Sequence, residues 1–526
     1  MLGTALLGAV AASAAVGSNA LIINRQDSVQ SILITSQAPA AGSDECLKSS
    51  YYGAYGSTAA QREFIYLPSA ECLGSAHALD ALSEGSLVSL DKAEIGEGRV
   101  VWVGQAGVAP ELLATDGEAG SMANWFSSIS VKAAETTLIK RQSEPHQSHF
   151  TASSPKTLRM LHASAHSLLL SVPAEYVPIL DTLLPRHLVP VALPQKPYAA
   201  SAGDSAWEPV PKHLAEHLAN ITSGLKFDSA LDKALNEGLD ADQLRRDIRW
   251  LTGEGPSGIE SRHSFTEGAL KAAKYIKGKS ITHLMVPSLL TLSEIGEESG
   301  ATCKYDHFLD GFAPNVLCTY PSTHNSTDNV ILSAHYDSRG SFGLTRAPGG
   351  DDDGSGSGHL LQIARAFGKM GVKFDKKVTL AWHAGEEQGL YGSHYFAERL
   401  KKENATVLLQ IQADMLGYHV PGEPLQLGLP ESIETPEASA LLHKLSQLYS
   451  PELVLGTTPA CCSDHQSFLS FGFPATAVFE RNGGIADPMY HNSGDTSQRE
   501  GYDLSQIISI AKVTMAAVMT VAGWKL

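Results

Sequence analysis

The sequence predicts an α/β fold in which a mostly parallel, mixed, doubly wound sheet is flanked by helices, with an additional N-terminal α+β domain. From about residue 215, apolar segments typical of buried strands alternate with helical segments. This alternation implies right-handed crossovers and a sheet covered on both faces. Before residue 193, short apolar runs such as 100–104 and 166–172 are separated by polar and Gly-rich breaks, which favours a smaller α+β domain.

Four divisions are predicted along the chain. An apolar N-terminal stretch followed by small residues indicates a signal peptide. A segment rich in Pro, Ala and Ser has the composition of a linker. The predicted divisions are a signal peptide at 1–20, an N-terminal domain at 21–193, a linker at 194–214 and a second domain at 215–526.

Helices are predicted at 225–251 and 266–275, where the apolar residues have helical periodicity. Strands and helices then follow in the order strand NVILSAHYD, helix SGHLLQIARAFGKM, strand KKVTLAWHAG, helix GSHYFAERLKK and strand TVLLQIQADM. The apolar segment 507–524 carries Lys512 near its middle, so we expect a buried C-terminal helix and no membrane span.

Composition excludes several classes of protein. The chain has 526 residues, 43% of them hydrophobic, and a formal net charge of −17. That length and apolar content suit sizeable cores and exclude disordered and collagen-like chains. The acidic balance argues against nucleic acid as a partner, because phosphate binding requires clustered Lys and Arg.

Cysteines and glycosylation sequons favour a secreted or lumenal protein. Asn220, Asn325 and Asn404 each begin an Asn-x-Thr sequon. The six cysteines suit one or two disulfides in an oxidising compartment, most simply Cys46 with Cys72 and Cys303 with Cys318. Cys461 and Cys462 are adjacent, and we expect free, buried thiols there in preference to a vicinal disulfide.

Five predicted strand ends carry a His or a carboxylate. In a doubly wound sheet the loops after the carboxyl ends of the strands form the ligand crevice. Any one such residue is more often a turn former or a helix cap, but successive occurrences are harder to explain in that way. The positions are His335-Tyr-Asp337, Asp351-Asp352-Asp353, Glu386-Glu387, Asp414 and Tyr490-His491.

Imidazole and carboxylate ligands suit zinc or another borderline divalent ion, cobalt and manganese included, and the set is large enough for two metals that share a carboxylate. In the adjacent pair Glu386-Glu387, one residue can bind metal while the other accepts a proton from water. Metal-assisted hydrolysis is therefore the first reaction class.

The motifs HYD, GGDDDGSG, AGEEQGLYGS, QADM, CCSDH and YHNSGDT occur in this order. In this order they resemble the secreted zinc aminopeptidases with two cocatalytic zincs, of the bacterial and fungal leucyl aminopeptidase type. The resemblance covers roughly 215–526. It implies a metallo-aminopeptidase that acts on peptides with a free N-terminus through a hydroxide bridging two zinc ions. We expect a monomer.

The resemblance also implies individual roles. Asp352 would bridge the two zincs, His335 and Asp414 would complete one site, and Glu387 and His491 the other. Glu386 would be the general base. Asp337 would hydrogen-bond the far nitrogen of His335, and Asp353 would follow Asp352 through a bond that is often cis in the family.

Two departures from the family pattern affect the pocket. Thr458 and Ala460 stand where relatives carry a Cys and the Tyr that stabilises the oxyanion. The oxyanion would then be stabilised by zinc alone or by another donor, for which Tyr490 and Tyr418 are candidates. Met415 and Phe479 suit an apolar substrate pocket. We expect Tyr490 to be a third substrate-binding residue.

Alternatives stay open at this point. A glutaminyl cyclase of the same fold, a carboxypeptidase of the same family and a non-catalytic peptide-binding ectodomain each keep part of this pattern. The N-terminal domain is either a prodomain, for which Lys140-Arg141 is a candidate processing site, or a permanent accessory domain.

Overall fold

The computed structural model describes residues 30–36, 45–56, 61–74, 85–90, 98–115, 122–143, 157–194, 207–278, 299–341, 346–460 and 462–526. The predicted signal peptide, most of the predicted linker and Cys461 lie outside these residues. The domain boundaries therefore stay predictions.

Two four-stranded antiparallel sheets form the N-terminal region. In spatial order the first contains β2 (Tyr51–Tyr55), β3 (Glu63–Tyr66), β1 (Gln30–Thr35) and β4 (Gly85–Leu90). The second contains β6 (Arg159–Ala163), β7 (Ser167–Pro173), β5 (Gly98–Gln105) and β8 (Leu188–Ala192). The helices of this region are α1 (Glu45–Lys48), α2 (Ala70–Leu73), α3 (Pro110–Thr115), α4 (Met122–Ser143) and α5 (Leu180–Leu183).

A six-stranded mixed sheet forms the centre of the second region. Its spatial order is β17 (Ala475–Val478), β14 (Val407–Ala413), β11 (Asn329–His335), β13 (Lys377–His383), β10 (Asn315–Tyr320) and β9 (Thr302–Asp306). The first four strands are mutually parallel, and β10 is antiparallel to both of its neighbours. The predicted mixed α/β sheet with an additional α+β domain is confirmed.

Short strand pairs and helices complete this region. The parallel pair is β15 (Gln426–Pro430) with β16 (Val454–Thr458), and the antiparallel pair is β12 (Lys373–Phe374) with β18 (Trp524–Lys525). The helices are α6 (Lys212–Gly224), α7 (Ser229–Gly238), α8 (Ala241–Leu251), α9 (Glu267–Lys277), α10 (Gly354–Met370), α11 (Tyr391–Lys402), α12 (Pro436–Tyr449), α13 (His465–Ser470) and α14 (Leu504–Ala522).

Strand β11 shows how the sheet is covered on both faces. Val330 and Leu332 join the large apolar cluster formed with α8, α10 and α14. Ile331, which points to the opposite face, packs in a second cluster with Phe396 of α11 and Phe468 of α13. That second cluster also contains N-terminal side chains, among them Tyr51, Phe64 and Tyr66, so the N-terminal region covers part of the central sheet.

The predicted helix at 225–251 is two helices in the structure. The chain breaks between α7 and α8 because the Asp240 carboxylate accepts hydrogen bonds from the N–H groups of Asp242 and Gln243. An Asp at this position satisfies backbone donors that would otherwise be free at a helix start.

The C-terminal helix α14 packs against α10 and β11. Among the described residues it is the one helix long and apolar enough to cross a membrane, and 72% of that apolar stretch is buried inside the protein. It therefore has the packing of a core helix.

Both expected disulfides, Cys46–Cys72 and Cys303–Cys318, are present. The expectation of a free thiol at Cys462 is wrong, because this residue is disulfide-bonded. It packs beside two apolar clusters, where a disulfide leaves no polar S–H group to satisfy.

Candidate metal centre

The carboxyl ends of β11, β13, β14 and β17 meet at one edge of the sheet, as the strand-end rule predicts. His335 is the last residue of β11, and Asp414 follows β14 directly. The loop after β13 carries Glu386 and Glu387, and Asp352 lies just before α10. His491 reaches the same point from the loop between β17 and α14.

Asp352 lies between the two histidines. Its Oδ1 is 3.1 Å from Nε2 of His335, and its Oδ2 is 3.0 Å from Nε2 of His491. The same nitrogen of His335 is 3.5 Å from Oδ1 of Asp414, and that of His491 is 3.2 Å from Oε2 of Glu387. The five predicted ligands thus form two clusters that share one carboxylate.

Because the cluster is buried, its carboxylates are energetically unfavourable unless a cation is bound. The exposed fractions of the five residues run from 1% to 6%. Oε1 of Glu387, Oδ1 of Asp414 and Nδ1 of His335 are buried and have no hydrogen-bond partner among the described residues. Since buried unpaired carboxylates are strongly unfavourable and the donors are oxygen and imidazole nitrogen, the residues fit a divalent ion such as zinc.

Asp353 also lies within 4.8 Å of His335 and Asp414, but its oxygens are already used. Oδ2 accepts from the N–H of His335, and Oδ1 accepts from the N–H groups of Gly356 and Met415. Asp353 therefore ties the ends of β11 and β14 to the start of α10. The Asp352–Asp353 peptide bond is cis, as the family resemblance implies.

Two further carboxylates hold the ligand loops. Asp337 accepts from the N–H groups of Glu386 and Glu387, each at 3.3 Å, and its Oδ1 lies 3.6 Å from Nδ1 of His335. Asp495 accepts from the N–H of Asp352 at 3.1 Å. Both support backbone that carries a ligand.

Glu386 lines the cleft and is only partly buried, whereas Glu387 is 3% exposed. Burial raises the pKa of Glu386 well above its ordinary value, an effect that His335 opposes and that Glu387 and Asp414 reinforce. A carboxyl group with such a raised proton affinity suits the exchange of a proton with a reacting group. The two adjacent glutamates therefore have different surroundings.

The cleft has an apolar wall. Met415, Phe479 and Tyr490 pack in one cluster with Ala460 and Ile485. The same cluster includes Ala106 from the N-terminal region, and Val108 and Val189 pack against it. Of the two candidate tyrosines, Tyr490 lines the cleft and stacks on His491 at 3.7 Å between ring centroids; Tyr418 is not among the lining residues.

Sequence reasoning missed several residues at this site. Arg339, Val189 and Pro190 line the cleft, which has a volume of about 30 Å³. Asp181 forms a buried ion pair with His263, 2.9 Å apart. For these residues the sequence offered one signal, the SRHS segment at 261–264, which contains His263. Nothing in the sequence pointed to Asp181, Val189 or Pro190.

The sequence matches one family and several curated proteins. Residues 315–518 match Peptidase family M28. "Leucine aminopeptidase 1" of Sclerotinia sclerotiorum is 30% identical over 42% of this chain and 59% of its own length. The "Probable leucine aminopeptidase" of Arthroderma otae is 29% identical over 51% of this chain and 69% of its own length. The chain thus spans about three fifths to two thirds of these relatives.

Solved structures share the fold. The LapA aminopeptidase of Legionella pneumophila matches with a TM-score of 0.53 at 19% identity, over 70% of this chain and 95% of that one. LapB of the same organism matches with a TM-score of 0.52 at 16% identity, over 81% of this chain and 100% of that one. The likeness to LapB extends beyond residues 215–526 into the N-terminal region.

We expect Asp337→Asn to lower zinc affinity about tenfold to hundredfold, the usual cost of losing an outer-shell partner. The amide would place an N–H₂ group against the N–H of Glu386 or Glu387 and would weaken the contact with His335. Chelator competition measures the affinity. Asp328→Asn, just before the other end of β11 and in an ion pair with Lys376, is the control. Equal affinities for the two variants would contradict the assigned role of Asp337.

Proposed function

We propose that the protein is a zinc-dependent aminopeptidase with two zinc ions per chain, starting from the match of residues 315–518 to Peptidase family M28. The observation that carries the proposal is the pair of His/carboxylate clusters that share Asp352, with Glu386 free beside them. His335 and Asp414 would hold one ion, and Glu387 and His491 the other.

When bound, zinc supplies a Lewis acid for the scissile carbonyl and lowers the pKa of a water molecule. Glu386 faces the cleft and accepts the proton of the attacking water. It then returns this proton to the leaving amine. One carboxylate can serve both steps because it lies in the cleft beside the proposed ligands, within reach of both reacting groups.

The cleft has one acidic side and one apolar side, and these determine how a substrate is oriented. The acidic side suits the α-amino group of a peptide, and the apolar side, with Met415 and Phe479, suits the first side chain. We assign Tyr490 as the donor to the developing oxyanion, because it lines the cleft beside His491. This replaces the tyrosine that the family carries where this chain has Ala460.

We further propose that the protein is secreted or lumenal and glycosylated. The disulfides Cys46–Cys72 and Cys303–Cys318 suit an oxidising compartment. Asn220, Asn325 and Asn404 are all exposed, so each sequon is accessible to modification.

Glu386→Gln should lower kcat by about 10² to 10⁴, the usual contribution of a general base, while zinc content is unchanged. The amide keeps the shape of the side chain but cannot accept the proton. Turnover of aminoacyl p-nitroanilides and elemental analysis measure the two quantities. Glu431→Gln, at an exposed position, is the control. A variant that keeps wild-type turnover would overturn the role of Glu386, and one that loses zinc would make it a ligand.

Acetylation of the substrate's α-amino group should abolish cleavage, because the proposed site anchors that amino group. The test compares matched peptides with free and acetylated N-termini, with product masses recorded. Release of a C-terminal residue from the acetylated peptide would indicate a carboxypeptidase. Formation of pyroglutamate from an N-terminal Gln without cleavage would indicate a cyclase.

A further inference from the structure

One stretch of the N-terminal region, residues 181–190, runs directly beside the candidate metal centre. We refer to it as the strap; it contains the end of α5 and the start of β8. The carbonyl oxygen of Arg186 lies 2.7 Å from Nδ1 of His491. Nε2 of the same ring faces Asp352 and Glu387.

This contact sets the orientation of His491. A neutral imidazole that uses Nε2 as a ligand carries its proton on Nδ1, and the acceptor of that proton fixes the tautomer and the ring plane. For His335 the nearby acceptor is Asp337, from the same domain. For His491 the N-terminal region supplies the acceptor.

Arg339 binds the strap through hydrogen bonds and lies next to Glu387. Its Nη1 donates to the carbonyl of Leu188 at 3.0 Å, and its Nη2 donates to that of Pro185 at 3.2 Å. These two carbonyls flank Arg186. The guanidinium is buried, and its Nε lies 4.0 Å from Oε2 of Glu387. One side chain thus links the strap to a candidate ligand.

Asp181, at the N-terminal end of the strap, binds the strap to the second region. Its fully buried carboxylate pairs with His263 at 2.9 Å and accepts from Nε2 of Gln388 at 3.0 Å. Gln388 follows Glu387 in the chain. If the N-terminal region left, Asp181 would lose both partners, and Arg339 would lose both of its carbonyl acceptors.

The dibasic pair does not offer a simple release point. Lys140 and Arg141 lie within α4, between β5 and β7 in sequence. Because β5 pairs with both β7 and β8, a cut there would divide one sheet and leave the strap in place. The apolar cluster shared by Tyr51 and Phe64 with Phe396 and Phe468 also holds the two regions together.

We propose that the strap supports the metal centre and that Arg339 is the positioning residue that holds the strap in place. The N-terminal domain therefore remains bound to the catalytic domain in the active enzyme. This inference rests on the two-metal site of the proposed function. The strap also narrows the cleft through Val189 and Pro190.

The first test substitutes Arg339→Lys in the full-length chain. Lysine keeps the charge but lacks the planar fork that reaches two carbonyls. The probe is cobalt(II) alone, with binding followed by chelator titration and by visible d–d absorption. We expect one of the two cobalt ions to bind about tenfold to hundredfold more weakly, with a changed spectrum, while the other ion is unaffected.

Arg365→Lys is the matched control. Arg365 pairs with the buried Asp247 at 3.0 Å and lies about 16 Å along α10 from its start. If Arg339→Lys binds both cobalt ions as the control does, the inference is overturned. Wild-type protein that binds no cobalt would instead overturn the proposed function.

A second test needs no variant of Arg339. A specific protease site is introduced between residues 195 and 206, and the purified chain is cut. We expect the two fragments to co-elute in size-exclusion chromatography with activity retained. An N-terminal fragment that separates and leaves a metal-loaded, active C-terminal fragment would overturn the inference and make the domain a prodomain.

Discussion

The structure depends on how buried negative charge at one edge of the central sheet is compensated. Asp352, Glu387 and Asp414 converge there, each at most 6% exposed, with Glu386 alongside. Two imidazoles cannot neutralise this charge alone, and three polar atoms of the cluster have no hydrogen-bond partner in the part of the chain that the structure describes. A divalent cation meets this requirement, and the surrounding loops are built to hold the carboxylates in place for it.

Hydrogen bonds from backbone N–H groups hold many of these loops in position. Asp337, Asp353 and Asp495 each accept from the N–H groups of residues that carry or adjoin ligands. They fix five separate chain segments to one another. The same carboxylates satisfy donors at strand ends and at the start of α10, where the backbone would otherwise lack partners.

The sequence predicted the parts of the site that follow from local pattern. Strand ends place His335 and Asp414, because carboxyl ends of parallel strands meet at one edge, and the ordered motifs supplied His491. It did not predict Asp181, Arg186 or Arg339. Their contacts join residues separated by 82, 305 and 151 positions, and two of the three use main-chain carbonyls, which leave no side-chain signature. The bonded state of Cys462 was missed for a related reason, since spacing alone does not determine which thiols react.

The central claim is that this cluster is a two-metal site, and zinc content per chain tests it most directly. Elemental analysis of full-length protein purified without chelator should give two equivalents of zinc per chain. A folded, stable chain that holds no metal, or that saturates at one equivalent when zinc is supplied, would contradict the account.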